Sequence, residues 1–128
     1  MEVRIASDVM AQLLAEAAAT PSVEICGLLF GTEDCIQRAE PAANVAPDPH
    51  RSFELDPAAL FSALRAARSG RPLPIGYYHS HPNGRPEPSA RDLAAAEPGA
   101  YWLILGGGEA RLWLAEIGAF REMQLILA

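Results

Sequence analysis

Apolar and polar positions along the chain change their spacing several times, and each change marks a new element. Residues 3–6 alternate as a short half-buried strand does. From Ser7, a residue able to cap a helix, the spacing widens to three and four. Val9, Met10, Leu13, Leu14 and Ala17 then fall on one helical face until Pro21 closes the element. Residues 23–30, Val-Glu-Ile-Cys-Gly-Leu-Leu-Phe, are apolar on both faces apart from one carboxylate, the pattern of a central strand covered on both sides. A hairpin about Thr32-Glu33-Asp34 with a strand near 35–40 would set Cys35 opposite Phe30 and Cys26 opposite Ala39.

After a proline-bearing loop over 41–50, Ser52-Phe53-Glu54-Leu55 reads as a short strand. Asp56-Pro57 then starts a second helix, whose stripe of Leu60, Phe61, Leu64 and Ala67 ends near Gly70. Leu73 to His81 is a strand. Residues 82–88 carry three prolines and form a constrained loop, because proline fixes the backbone and removes donors. A short helix from Ser89 to about Glu97 follows. Three strands, 100–105, 109–116 and 120–127, complete the pattern, separated by Gly106-Gly107-Gly108 and by Gly118. This order predicts an α/β (α+β) fold with a mixed, largely antiparallel sheet flanked by helices.

A length of 128 residues and a mass of 13.7 kDa suit a single domain over 1–128. No apolar run approaches the ~20 residues of a membrane-spanning helix, so no membrane association is expected. The N-terminal Met-Glu-Val-Arg-Ile lacks the features of a secretory signal, which makes a cytoplasmic location the expectation. Net charge is −6 with scattered cations, which argues against nucleic acid as a partner. Cys26 and Cys35 match no zinc knuckle and no disulfide framework.

Chemistry concentrates in His79-Ser80-His81 and the loop after it. On a strand, residues i and i+2 share a face about 6.6 Å apart, so both imidazoles can converge on one ion. A catalytic zinc uses three protein ligands and keeps an open position, so one more donor is needed. Asp92 is the nearest candidate, because the stiff loop brings the first turn of the next helix back over the strand end, with Ser89 facing the ion. The plainer reading is that Ser89-x-x-Asp92 is a helix capping box, and such patterns are more often caps than metal sites. His50, in a proline loop, reads as a surface residue. Glu24 stands out, because a buried carboxylate without a partner costs several kcal/mol or binds a proton. Its bland alternative is the exposed start of the strand.

These residues together carry a resemblance. Pro21-Ser22-Val23-Glu24-Ile25-Cys26-Gly27-Leu28-Leu29-Phe30-Gly31, then His79-Ser80-His81-Pro82, six residues, and Ser89-x-x-Asp92 resemble the JAMM (MPN-plus, JAB domain) zinc metalloproteases of the small single-domain prokaryotic type. The motifs run from Glu24 to Asp92, and the element order, including the Asn44 to Pro57 approach to the second helix, resembles the family over essentially the whole chain. The resemblance implies a JAMM/cytidine-deaminase-like fold and a zinc metallopeptidase with one Zn2+ per chain. His79, His81 and Asp92 would hold the ion, whose charge lowers the pKa of its water to about 7. Glu24 would be the general base and Ser89 would stabilise the oxyanion. Cys26 and Ser80 would pack around the site without acting as nucleophiles.

The same resemblance implies cleavage after the C-terminal Gly-Gly of a ubiquitin-like or sulfur-carrier protein, with the chain as a bare catalytic domain. An extended tail adding to a sheet edge near the metal would gain affinity from its backbone. Two other readings exist on this fold. One is a RadC-like JAB protein, which His-x-His-Pro-x-Gly-x-Pro-x-Pro-Ser also resembles, and the other is a non-catalytic MPN scaffold, which the intact residue set disfavours. The His-x-Glu and Pro-Cys-x-x-Cys signature of cytidine deaminases is absent.

Overall fold

The computed structural model describes residues 2–128. Its elements run β1 (Glu2–Ile5), α1 (Ser7–Ala19), β2 (Cys26–Thr32), β3 (Cys35–Ala42), α2 (Pro57–Arg68), β4 (Gly76–Ser80), α3 (Ala90–Ala95), β5 (Tyr101–Gly106), β6 (Glu109–Glu116) and β7 (Ala119–Leu127). The seven strands are ordered β1-β3-β2-β4-β5-β6-β7 and close into a barrel, with β1 parallel to both β3 and β7. The β4–β5 pair is also parallel, and the four remaining pairs are antiparallel. The mixed, largely antiparallel sheet is as expected. Its closure is new, because strand patterning carries no signal for pairing between distant segments.

β2 is buried on both faces for the reason its composition suggests. Leu29 points into the main core with Val3, Ile5, Ile36, Tyr78, Leu103 and Leu112, and α1 covers that core with Val9 and Leu13. Leu28 and Phe30 point the other way, against Ala63, Leu55, Leu60 and Tyr77. Each such side chain contributes about 1.5–3 kcal/mol relative to exposure. Gly27, immediately before them in β2, is obligatory, because a Cβ there would overlap the Tyr78 ring and the Glu40 carbonyl. The ring runs past Gly27 so that its hydroxyl can donate to Glu16 on α1 at 2.7 Å.

Several local expectations are corrected. Ser7 does not cap α1. The N-cap is Ala6 without a side-chain cap, and the Ser7 hydroxyl instead donates to the Ala128 carbonyl at 2.6 Å. The β2–β3 hairpin turns tightly over Glu33-Asp34 and carries a bulge at Phe30/Gly31. Cys35 therefore pairs with Thr32, Phe30 with Arg38, and Cys26 with Ala42. Both thiols are free. Residues 52–55 contribute only the Asn44–Leu55 bridge. On α2 the stripe is rotated, so that small Ala63 meets the sheet while Phe61 and Leu64 stay 65% and 45% exposed. The Asp56 carboxylate does cap this helix, accepting from Ala58 N–H at 3.0 Å. α3 ends at Ala95, short of Glu97, ahead of Pro98. No helix among the described residues is long and apolar enough to cross a membrane.

Candidate metal centre

β4 is the middle of the site. Its antiparallel register with β2 sets Cys26 opposite His79, and the pairing continues one step as Ser80 N–H donates to the Ile25 carbonyl at 3.1 Å. The Ser80 hydroxyl returns the contact by accepting from Ile25 N–H at 3.0 Å. Glu24 is thereby held beside the end of β4. It lies two residues before β2 begins, neither inside the strand nor at an exposed start, and it is only 4% accessible.

His79 and His81 converge as their alternation requires, with Nε2 atoms 3.0 Å apart. The Asp92 Oδ2 is 3.2 Å from the first and 3.1 Å from the second. All three residues are buried. Ser89 caps α3 in a full capping box: its hydroxyl accepts from Asp92 N–H at 3.1 Å, and its own N–H donates to Asp92 Oδ2 at 2.9 Å. The capping reading and the ligand reading thus describe one arrangement, since the cap is what aims the Asp92 carboxylate at both imidazoles. The Ser89 hydroxyl proton stays free to donate. Glu24 closes the group, with one ligating atom each from Glu24, His79 and His81 within 4.8 Å of one another.

The donor set fits a metal cation. The His81 Nδ1 lies 2.7 Å from the Arg85 carbonyl, which puts the proton on that nitrogen and leaves Nε2 with a lone pair. Separations of 3.0–3.2 Å are close to those of ligands sharing one ion at about 2.0–2.2 Å. Glu24 Oε1 is buried with no hydrogen-bond partner among the described residues, as a carboxylate reserved for water or a cation would be. Phe53 stacks on the His79 ring at 4.3 Å and Trp102 meets it edge-on at 5.3 Å, so the imidazole cannot swing away. Asn44 fixes this cover by donating to the Glu24 and Ser52 carbonyls and accepting from Ala46 and Glu54 N–H. Sequence reading missed Phe53, Trp102 and the clamp role of Asn44, because none repeats with a period. Glu24, His81 and Ser89 line a cleft of about 330 Å³ whose wall includes His50, so that residue is exposed, as expected, but beside the site.

Burial pushes the Glu24 carboxyl up to about 7, helped by Asp92 and opposed by His81 and Arg91. Burial lowers His79. It would also lower His81, but Asp92, the Arg85 carbonyl and Glu24 outweigh it and raise that imidazole. Burial would raise Asp92, yet hydrogen bonds from the two histidines hold it well below the usual carboxylate range. Burial first, then Glu16 and Glu24, drive the Cys26 thiol up to about 12, which removes it as a nucleophile.

A pH dependence follows for the metal-free chain. With Glu24 at about 7 folded and 4.5 unfolded, the folded state binds more protons between those values. Its contribution is complete below pH 4.5 and lost as pH rises through about 7. In chelator-treated protein, the denaturant midpoint of the wild type should fall over this window relative to Glu24→Gln. Parallel profiles would show that another group titrates.

Comparison with known proteins places this geometry among relatives. The family described as prokaryotic homologs of the JAB domain matches residues 6–116. A desampylase of Haloferax volcanii is 39% identical over 115 residues, covering 85% of this chain and 81% of the relative. A probable TtuB-protein conjugate cleaving protease of Thermus thermophilus is 36% identical over 102 residues, 79% of this chain and 66% of that one. A JAB1/MPN domain protein from Archaeoglobus fulgidus superposes with a TM-score of 0.62 over 98% of each chain at 17% identity, a likeness of fold.

Proposed function

The chain belongs to the prokaryotic JAB-domain family, and from that membership we propose that it is a zinc-dependent isopeptidase acting after the C-terminal Gly-Gly of a ubiquitin-like or sulfur-carrier protein. The relatives named as a desampylase and a TtuB-protein conjugate cleaving protease support the substrate class. One observation carries the reading: His79, His81 and Asp92 aim donor atoms at one point beside a buried, unsatisfied Glu24 carboxylate. Such a donor set suits an enzyme better than a scaffold. Residues 1–128 would form one catalytic domain working in the cytoplasm.

His79, His81 and Asp92 would hold one zinc per chain, which when bound polarises a carbonyl and lowers the pKa of a coordinated water to about 7. Glu24 takes a proton from the attacking water as the new carbon–oxygen bond forms. It delivers that proton to the departing amine as the carbon–nitrogen bond breaks, leaving a carboxyl group on the carrier tail, which ionises by giving the water's second proton to the freed lysine amine. Ser89 donates its free hydroxyl proton to the oxyanion. Phe53 and Trp102 keep the His79 ring in place and exclude water from its face. β4 is paired on both sides, so an extended tail cannot add to β4 itself.

Ser89→Ala should lower turnover about a hundredfold while costing about 1 kcal/mol of stability through the lost cap. Steady-state kinetics beside denaturant unfolding separates the two. The reading itself is tested by elemental analysis and cleavage together. About one zinc per chain is expected, lost in His79→Ala, and the loaded protein should release a ubiquitin-like carrier from an isopeptide conjugate. Absence of zinc after reloading would overturn the metal assignment, and equal cleavage of tails with both glycines replaced would overturn the Gly-Gly assignment.

A further inference from the structure

β6 presents Glu109, Arg111 and Trp113 on one face. In register with Gly106, Ile104 and Trp102 of β5, that face is continuous with the side of β4 that carries His79. The loop 82–88, which joins His81 to the helix bearing Asp92, lies across it. The Trp113 indole N–H donates to the Pro86 carbonyl at 3.1 Å, Pro86 is buried, and the Arg111 guanidinium stands 3.8 Å from Glu87. One residue before Pro86, the Arg85 carbonyl meets the His81 Nδ1 at 2.7 Å. That contact decides which nitrogen keeps the lone pair, a choice that outer-sphere partners make for metal-binding imidazoles. Towards its Gly84–Arg85 end the loop rests on Gly106 of the same face, where a Cβ would come within 2.9 Å of the Gly84 and Arg85 backbone.

Three prolines stiffen this loop but Gly84, at φ +82°, gives it a pivot next to Arg85. Stiffness alone therefore does not place the Arg85 carbonyl. The Asn83 Oδ1 bridges the pivot on its near side by accepting from Arg85 N–H at 2.9 Å, and the indole adds the anchor on the far side. We propose that Trp113 is a positioning residue for the metal site: by pinning the Pro86 carbonyl it holds the Arg85 carbonyl where that group orients His81. It acts through the loop and touches none of the three donor atoms. The inference rests on the metal reading given above.

Trp113→Phe keeps an aromatic ring and deletes the donor. Zinc affinity, measured by competition with a chromophoric chelator, should weaken about tenfold, the low end for a lost outer-sphere contact. The thermal midpoint of the metal-free chain should stay unchanged, because a merely structural role would lower it. Gly106→Ala, which crowds the same loop at its Gly84–Arg85 end, should weaken zinc binding similarly and serves if the first variant fails to fold. Zinc affinity within twofold of wild type, or a loss matched by a fall in the metal-free midpoint, would overturn the proposal. Failure of the wild type to bind zinc would overturn the metal reading instead, a distinguishable result.

Discussion

Glu24→Gln is expected to keep the fold and the zinc while lowering turnover by about 10²–10⁴-fold, the usual range for a lost general base. The amide has the same shape but no basic oxygen. Its backbone anchors do not involve the carboxylate: Glu24 N–H donates to the Pro49 carbonyl at 2.7 Å, and the Glu24 carbonyl accepts from Asn44 at 2.9 Å. The histidine and aspartate donors are 3.0–3.2 Å apart without it. Zinc content and turnover measured on one preparation decide the matter. Full turnover in the variant would move the base elsewhere, and loss of zinc would make Glu24 a ligand.

Asp92→Ala should abolish cleavage and weaken zinc binding by more than about a hundredfold, beyond the 10–100-fold of an outer-sphere contact. Two roles are superimposed on this carboxylate, since the Oδ2 that faces both histidines also accepts from Ser89 N–H at 2.9 Å. An Asp92 that only capped the helix would cost about 1 kcal/mol of stability on removal and leave zinc binding unchanged. Asp92→Asn separates the two, because an amide oxygen can still accept from Ser89 but lacks the charge. The expected order of zinc affinity is wild type, then Asn, then Ala. Zinc binding unchanged in both variants would return Asp92 to a purely capping role.

Which parts of this site the sequence discloses follows from the range of the forces involved. His79 and His81 are legible because strand alternation is local, and Asp92 because cap spacing is local. Glu24 is conspicuous as a carboxylate in an apolar run, although the strand begins only at Cys26. The β2–β3 register is missed by two residues at the tight turn over Glu33-Asp34 and by one more at the Phe30/Gly31 bulge, irregularities that pattern reading cannot see. Phe53 is missed because its segment is held by one isolated bridge and by the Asn44 side chain, which donates to the Ser52 carbonyl and accepts from Glu54 N–H. The rotation of α2 escapes because Leu60, Phe61, Ala63 and Leu64 leave its helical phase ambiguous, and the preference of the sheet for small Ala63 decides it.

Closure of the barrel by β1 against β7 has a kinetic consequence. Glu2 pairs with Gln124 and Ile5 with Leu127, and the Ser7 hydroxyl and Ile5 carbonyl both bond to Ala128. Contacts across such sequence distances raise the relative contact order, and chains dominated by them fold in milliseconds to seconds instead of microseconds. Loop-closure entropy is spent before these contacts repay it. A ribosome-bound chain that has not yet exposed β7 leaves β1 without one of its two neighbours, so completion of the barrel waits for the last strand to emerge.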